Sequence, residues 1–525
     1  MTVRARSTRH QPQHTEGPDM DHHDTTTESA DIVVIGAGLS GIGAAKYLTD
    51  DFPDKKVLLL EGRDAVGGTW DLFKYPGIRS DDSVHTYGYE FKPWLHKEAI
   101  ADGAFIRDYM VEAVTEFGLD KILRLRHRVT AADWSSEDAQ WTLRVTATDE
   151  AGNETDKTIR AGFVFSGTGY YDYEGGYEPR FEGREDFRGD ILHPQHWPED
   201  YDYSGKRVVI IGSGATAVTM LPAMLMGEGA AAHVTMLQRT PSYVASIPRV
   251  DELAQRLMKL FGVKRGYAAT RFKNFWSDHL IVSLLCRFPN FGRNLLRKWT
   301  AKELPAGFDV DTHFAPPYNP WDQRLCATPD GEFFTAIREG NADVVTDQID
   351  RFTENGILLK SGRTLEADII VTATGLVMQM LGGIQPTVDG APVKMSDTVL
   401  YRGSLISGVP NWAMMLGYTK ATWTLRIRNV SRLAAEVIRT MDTKGYDIAV
   451  PVAPEGMPTT DLLDITAGYV QRAKDELPRQ GTSLPWQMHT TFVRDNRLFK
   501  GQLIHEDIHF SKRSVEAPHL VEAAS

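Results

Sequence analysis

Apolar positions along the chain fall into two patterns: short uninterrupted runs, and longer stretches at helical spacing. Residues 31–35, DIVVI, show no alternation of polar and apolar positions, which suits a strand buried on both faces of a parallel sheet. Ala44, Ala45, Tyr47 and Leu48 follow at helical spacing, and a second run, KVLLLE, covers residues 56–61. The same order recurs later, with a strand over residues 208–211, an apolar helix, and a further strand in HVTMLQ, residues 233–238. Two other runs, residues 163–173 and 367–376, lead from an apolar strand into small residues, where Gly169 and Gly375 permit close passage from one unit to another. An α/β chain is therefore expected, with a second strand–turn–helix unit inserted in the first. The expected division is a disordered leader at 1–28, a first unit at 29–170, and the inserted unit at 171–375 with a helical segment at 251–303. The first unit then resumes at 376–510, its base closed by SGVPNWAMMLGYT, and residues 511–525 form a tail.

The turns between these elements carry chemistry. After the first strand, Gly36, Gly38 and Gly41 form GxGxxG; such glycines let the backbone turn sharply and approach a pyrophosphate seated on the helix N-terminus. Glu61 stands 25 residues after Gly36, at the end of the next strand, where its carboxylate can accept hydrogen bonds from both ribose hydroxyls of an adenosine. The pattern is that of a Rossmann-like dinucleotide unit. A 2'-phosphate beside Glu61 would be repelled, which excludes NADP here and leaves FAD or NAD. Gly67 and Gly68, followed by Thr69 and Trp70, allow the chain to lie against a flavin and favour FAD. In the second unit Gly212, Gly214 and Ala217 form GxGxxA, but the following strand ends in Gln238, Arg239 and Thr240. A guanidinium and a hydroxyl there suit a 2'-phosphate, so NADPH is the expected second nucleotide.

Composition narrows the class. At 525 residues the chain has room for two to four domains of roughly 150 residues. A net charge of -12 argues against general nucleic-acid binding, which needs a basic surface. Cys286 and Cys326 cannot form a CxxC centre or a zinc cluster, and such scarcity fits a reducing compartment. The longest apolar run in the helical segment, residues 280–286, is far short of the roughly 18 residues that span a bilayer. The first 28 residues lack an apolar signal region, and aspartates at 19, 21 and 24 oppose a mitochondrial presequence, so a cytoplasmic protein is expected.

Three features together give a family resemblance: the two nucleotide motifs in this order, the stretch FRGDILHPQHWP, and the segment from Gly67 to Asp81. The stretch fills FxGxxxHxxxW[PD] with Phe187, Gly189, His193, Trp197 and Pro198; the segment fills GGxWxxxxYPGxxxD with Gly67, Gly68, Trp70, Tyr75, Pro76, Gly77 and Asp81. From about residue 30 to 510 the chain resembles the flavin-dependent Baeyer–Villiger monooxygenases, in particular the ethionamide-activating type. The resemblance implies FAD, NADPH and O2 as reactants, a C4a-peroxyflavin, and conversion of a ketone to an ester or lactone, with sulfides as further substrates. It also implies that Arg324 supplies the cation beside the peroxide with Asp81 as its carboxylate partner, although Asp82 and Asp322 are neighbours that could pair a guanidinium. His193 is implied to serve domain motion. Gln323 stands where many members have lysine.

Nitrogen- and sulfur-oxygenating relatives usually carry tyrosine at the position of Trp197, so an N- or S-oxygenating enzyme is the second reading and a non-oxygenating redox partner the third. The motifs leave residues 251–303 unexplained. That segment carries eleven Lys or Arg against four Asp or Glu, with Phe272, Phe275, Trp276, Phe288, Phe291 and Trp299 among them. Such a composition suits a roof over an apolar substrate pocket, or peripheral contact with a membrane surface.

Overall fold

The computed structural model describes residues 27–323 and 325–513. In chain order, the first sheet is built from β1 (Thr27–Ile35), β2 (Val57–Leu60), β3 (Leu123–Arg124), β4 (His127–Ser135), β5 (Gln140–Thr148) and β6 (Glu154–Ser166), with helix α1 (Leu39–Asp51) between β1 and β2. Strands β3, β2, β1 and β6 lie side by side and parallel. The thirteen residues of β6 serve two further neighbours, because its first part pairs antiparallel with β5, which pairs in turn with β4. The Ile32, Val34 and Leu59 side chains are buried with Ile42, Ala44, Ala45 and Leu48 of α1, which explains the unalternating runs: both faces of these strands are covered.

One boundary differs from expectation. Thr27 and Glu28, assigned by composition to the leader, are strand residues that pair with Thr158 and Ile159. Long β6 offers backbone partners beyond the apolar run, and hydrogen bonding to it does not require an apolar side chain. Residues 1–26 of the expected leader and 514–525 of the expected tail lie outside the described residues.

The inserted part comprises β7 (Tyr171–Gly176), β8 (Asp190–Leu192), β9 (Arg207–Ile211), helix α2 (Ala215–Ala223), β10 (His233–Gln238), helices α3 (Glu252–Phe261), α4 (Val263–Arg287) and α5 (Pro289–Glu303), β11 (Ala342–Thr346) and β12 (Ile369–Thr372). Five of its strands form a parallel sheet in the order β11-β10-β9-β12-β8. The chain then returns through β13 (Leu376–Met378), antiparallel to β7, to β14 (Trp412–Met414), which pairs parallel with the end of β6. Helix α6 (Ile427–Lys444) packs its Ile427, Val430, Leu433 and Ala434 into the same core as α1. The second doubly wound unit is thus inserted in the first, with the ribbon of β7 and β13 at the passage.

The stretch of the first unit around Gly77 is wedged into the second. At Gly77, where φ is +81°, an added Cβ would lie 2.5 Å from the Thr219 carbonyl oxygen of α2 and 2.6 Å from the Ala223 Cβ. Two residues on, buried Arg79 places Nη1 2.5 Å from Glu332 Oε1, and Arg249 Nη2 donates to Glu332 Oε2 at 2.8 Å. Burial opposes the charge of Arg79, and Glu332 offsets that penalty. Glu332→Gln is therefore expected to cost about 3–5 kcal/mol, because it strands a buried guanidinium, whereas Arg79→Met with Glu332→Leu recovers much of the loss. Thermal melts and limited proteolysis of both variants check this; a single variant that melts like the parent contradicts it.

Candidate active site

The end of β1 and the turn that follows bring backbone, not side chains, to the middle of the first unit. Gly36, at φ +94°, approaches so closely that an added Cβ would lie 2.9 Å from the Gly167 carbonyl oxygen, in the turn after β6. Gly68, at φ +53°, stands against Gly38, with an added Cβ only 3.1 Å from the Gly38 Cα. Gly41 completes the turn from inside: a Cβ there would fall 1.7 Å from the Gly36 carbonyl oxygen. Three turns, from residues 36–41, 67–68 and 167, therefore meet without intervening side chains.

Around this meeting point lies a cavity of about 620 Å³. Gly36, Gly38, Glu61, Gly67, Gly68, Thr69, Trp70 and Asp81 all line it, so these residues singled out by motif come together. Gly41 does not line it and acts by letting the turn close. The N-cap of α1 is Gly38, which has no side chain to satisfy the first N–H groups of the helix. Those donors suit an anion. Glu61 is buried; it accepts from Ala37 N–H at 2.7 Å and from Arg63 N–H at 2.9 Å, tying the end of β2 to the glycine turn. Burial pushes its carboxyl up, against the pull of these two donors and of the Arg63 charge. A carboxylate oxygen can accept more than one hydrogen bond, as binding a ribose diol requires, and Glu61 lines the cavity.

The aromatic wall is held by hydrogen bonds. Tyr171 OH donates to Thr69 Oγ1 at 2.5 Å, and Trp70 Nε1 donates to Tyr87 OH at 3.1 Å. Burial pushes the Tyr87 and Tyr171 phenols far above their ordinary range and Tyr173 up to about 12, so all three remain protonated and able to donate. Trp423 stacks on Tyr170 with ring centroids 4.8 Å apart, and its Nε1 reaches Ser40 Oγ at 3.3 Å. The motifs did not single out Gly167, Tyr170, Tyr171, Tyr173 or Trp423 as site residues. The small residues after the apolar run ending at 166 could have pointed to the first, but Trp423 lies far along the chain in no motif. A glycine turn, unsatisfied helix donors, a carboxylate and a ring-lined wall suit a flavin dinucleotide.

The second nucleotide motif lies on a different surface. Gly212, at φ +143°, abuts the Ala373 carbonyl oxygen at 2.3 Å from an added Cβ, and exposed Gly214 caps α2 with no side-chain bond. Ala217 is buried under this turn. Arg239 is exposed just after β10, and Ser213 Oγ donates to the Thr240 carbonyl oxygen at 2.9 Å, holding the two strand ends together. None of these residues lines the 620 Å³ cavity.

The FRGDILHPQHWP stretch occupies the passage between the sheets. Gly176, at the end of β7, allows the His193 ring to sit directly on the ribbon: an added Cβ would lie 2.0 Å from its Cε1. Gln195 Nε2 donates to the Asp172 carbonyl oxygen at 2.8 Å, and buried Phe187 and Trp197 pack into the second unit's core. His193 is thus far from any role shown by a polar partner on Nε2, which is buried and unpaired among the described residues; burial holds its pKa low. Asp81 lines the cavity, whereas Arg324, its expected partner, lies outside the described residues. No residue of 251–303 lines this cavity.

Comparison with known proteins agrees with this geometry. The profile of the family described as flavin-binding monooxygenase-like matches residues 89–382, and that of an NAD(P)-binding Rossmann-like domain matches residues 34–96. The FAD-containing monooxygenase EthA of Mycolicibacterium smegmatis is 46% identical over 488 residues, 93% of this chain and 98% of its own. EthA of Mycobacterium tuberculosis is 45% identical over 489 residues, covering 93% and 99%. The probable FAD-binding monooxygenase AlmA of Acinetobacter baylyi is 43% identical over 487 residues, covering 92% and 96%. Among solved structures, an oxidised steroid monooxygenase bound to NADP has a TM-score of 0.70 at 23% identity, covering 92% of this chain and all of that one. Cyclohexanone monooxygenase with ε-caprolactone bound has a TM-score of 0.66 at 22% identity, covering 82% and 91%. These structures share the two-unit fold. With a family profile spanning more than half its length and relatives this similar over nearly all of it, the chain belongs to the flavin-binding monooxygenase-like family.

Proposed function

We propose that this flavin monooxygenase uses FAD, NADPH and O2 to insert one oxygen atom beside a ketone carbonyl, giving an ester or lactone, and that it also oxygenates sulfides. The observation that carries this reading is the convergence of Gly36, Gly38, Glu61, Gly68, Trp70 and Asp81 on one cavity. The neighbouring solved structures include a steroid monooxygenase and a cyclohexanone monooxygenase, the latter with ε-caprolactone or cyclohexanone bound, which supports the ketone reading. FAD bound in the cavity would supply oxygen activation after accepting a hydride from NADPH.

The chain's own groups bind, orient and shield. Glu61 accepts the ribose hydroxyls, and the donors at the start of α1 meet the pyrophosphate. Thr69 and Trp70, fixed by Tyr171 and Tyr87, set one side of the ring-binding space. Trp70, Tyr87, Tyr170 and Trp423 make a largely apolar wall that keeps water from the reacting atoms. Attack on a carbonyl needs an anionic oxygen nucleophile, which a guanidinium stabilises. Arg324 is assigned that charge and Asp81 the task of holding it. Arg239 and Thr240 are assigned the 2'-phosphate of NADPH, with the donors of the α2 N-terminus for its pyrophosphate.

Sulfide or amine oxygenation is the second reading, since uncharged heteroatoms attack an electrophilic oxygen and need no such anion. Trp197 in the junction stretch favours the ketone chemistry. Turnover with labelled dioxygen and a phenyl or long-chain ketone should place one labelled atom in the ester, while Arg324→Ala keeps its flavin but releases hydrogen peroxide instead. Absence of label from the ester, with NADPH consumed, would sink the ketone reading. Arg239→Ala should raise KM for NADPH at least ~10-fold while leaving NADH use nearly unchanged, as expected for loss of a charge-assisted phosphate contact; equal losses with both nucleotides would remove Arg239 from phosphate binding.

A further inference from the structure

Helix α4 buries polar side chains in its middle turns and exposes a line of large apolar ones. Arg271 and Asn274, in its middle turns, point into the protein and are satisfied there: Arg271 Nη1 donates to the carbonyl oxygens of His85, Thr86 and Gly88 at 2.9, 2.9 and 2.8 Å, and Asn274 Nδ2 donates to Ser83 Oγ at 3.1 Å. Lys273 Nζ pairs with Asp251 at 2.5 Å. Tyr267, Val282 and Leu285 are buried on the inner side, but four other large apolar side chains point outward. Phe272, Trp276, Leu280 and Leu284 are 66, 45, 68 and 43% exposed and recur every four residues, so they share one face. That line runs about 18 Å along the helix. The flanking helices add further exposed apolar side chains, Leu260 and Phe261 at the end of α3 and Phe291 and Trp299 on α5. A surface helix normally buries such a stripe, and an exposed apolar patch of this extent marks an interaction site.

Charge selects the occupant. The segment 251–303 has eleven Lys or Arg against four Asp or Glu in a chain of net charge -12, so the patch is a basic island on an acidic protein. Lys259, Lys264, Arg265, Arg287, Lys298 and Lys302 are all exposed. Two copies meeting face to face through this surface would bring like charges together. The 26 residues before β1 are mostly polar and hold little apolar side chain with which to cover the stripe. No helix is long and apolar enough to cross a membrane among the described residues, so an embedded span is not the destination either. Rings and aliphatic groups on one side, with cations around them, match the boundary between headgroups and acyl chains.

We infer that the outward faces of α3, α4 and α5 dock on the surface of a bilayer rich in anionic lipid. Docking places no demand on the cavity, whose lining includes none of these residues, and is independent of which substrate is oxygenated. The flavin-loaded full chain is sedimented with vesicles of phosphatidylcholine alone and of phosphatidylcholine with phosphatidylglycerol, at low and high salt. The parent should bind the anionic vesicles, less at high salt, and the neutral ones poorly. A variant carrying Phe272→Ser, Trp276→Ser, Leu280→Ser and Leu284→Ser should partition at least ~30-fold more weakly, with flavin content and NADPH oxidation unchanged. Lys264→Glu with Arg265→Glu and Lys298→Glu should weaken binding to anionic vesicles selectively. Should the apolar variant lose its flavin, quenching of tryptophan emission in the parent by brominated lipid gives the readout, with quenching expected. The proposal is overturned if the parent ignores anionic vesicles, if either variant binds as well as the parent, or if brominated lipid leaves the emission unchanged. Sedimentation velocity showing a dimer that the apolar variant abolishes, without vesicle binding, would assign the face to a second copy instead.

Discussion

The site depends on backbone meeting backbone. Gly36 against Gly167 and Gly41 beneath Gly36 are contacts that a single Cβ would break, at 2.9 and 1.7 Å, and a Cβ on Gly68 would crowd Gly38 at 3.1 Å. They bring strand ends β1 and β6 and the turn after β2 to one point, and they leave the N-terminal donors of α1 open. A negatively charged pyrophosphate can then rest on peptide groups at van der Waals distance, which side chains would prevent. Glu61 belongs to the same constraint. Its two bonds to Ala37 and Arg63 lock the turn while its burial raises the cost of its charge, so a ligand that donates to it relieves a penalty the fold has already accepted.

One stretch of chain, residues 75–88, transmits this arrangement outward. Gly77 fits against α2 of the inserted unit, Arg79 pairs with Glu332, Asp81 and Asp82 face the cavity, and the carbonyl oxygens of His85, Thr86 and Gly88 are gathered by Arg271 of α4. The inserted unit, the cavity and the helical segment are therefore mechanically linked through fourteen consecutive positions. A shift of the inserted unit reaches the carboxylates beside the cavity by way of a buried ion pair, not through a flexible loop. The ribbon of β7 and β13, with the His193 ring pressed on Gly176, is a further connection, and it carries Tyr171 and Tyr173 into the cavity wall.

What was legible in the sequence was local. Glycine spacing, the strand runs around it and the acid at residue 61 belong to one strand–turn–helix–strand unit, so the alternating units and the cavity residues at 36, 38, 61 and 67–70 could be read directly. Trp423 and Tyr170 could not, since their stacking joins the start of the second unit's passage to a segment that returns 253 positions later. The helices of 251–303 were legible from periodicity, but not their orientation. The inward turn of Arg271 follows carbonyl oxygens at 85, 86 and 88, acceptors that no side-chain pattern reveals. The strand residues Thr27 and Glu28 were hidden because pairing with β6 is made by the backbone.

The central claim is that the glycine meeting point is the seat of a flavin's pyrophosphate. A crystal structure of the chain loaded with FAD tests it most directly. Electron density should show the diphosphate over the turn at residues 36–41 and beside Gly68, the adenosine ribose on Glu61, and the ring system against Trp70. Flavin density elsewhere on the molecule, with Glu61 still bonded only to Ala37 and Arg63, would contradict the account.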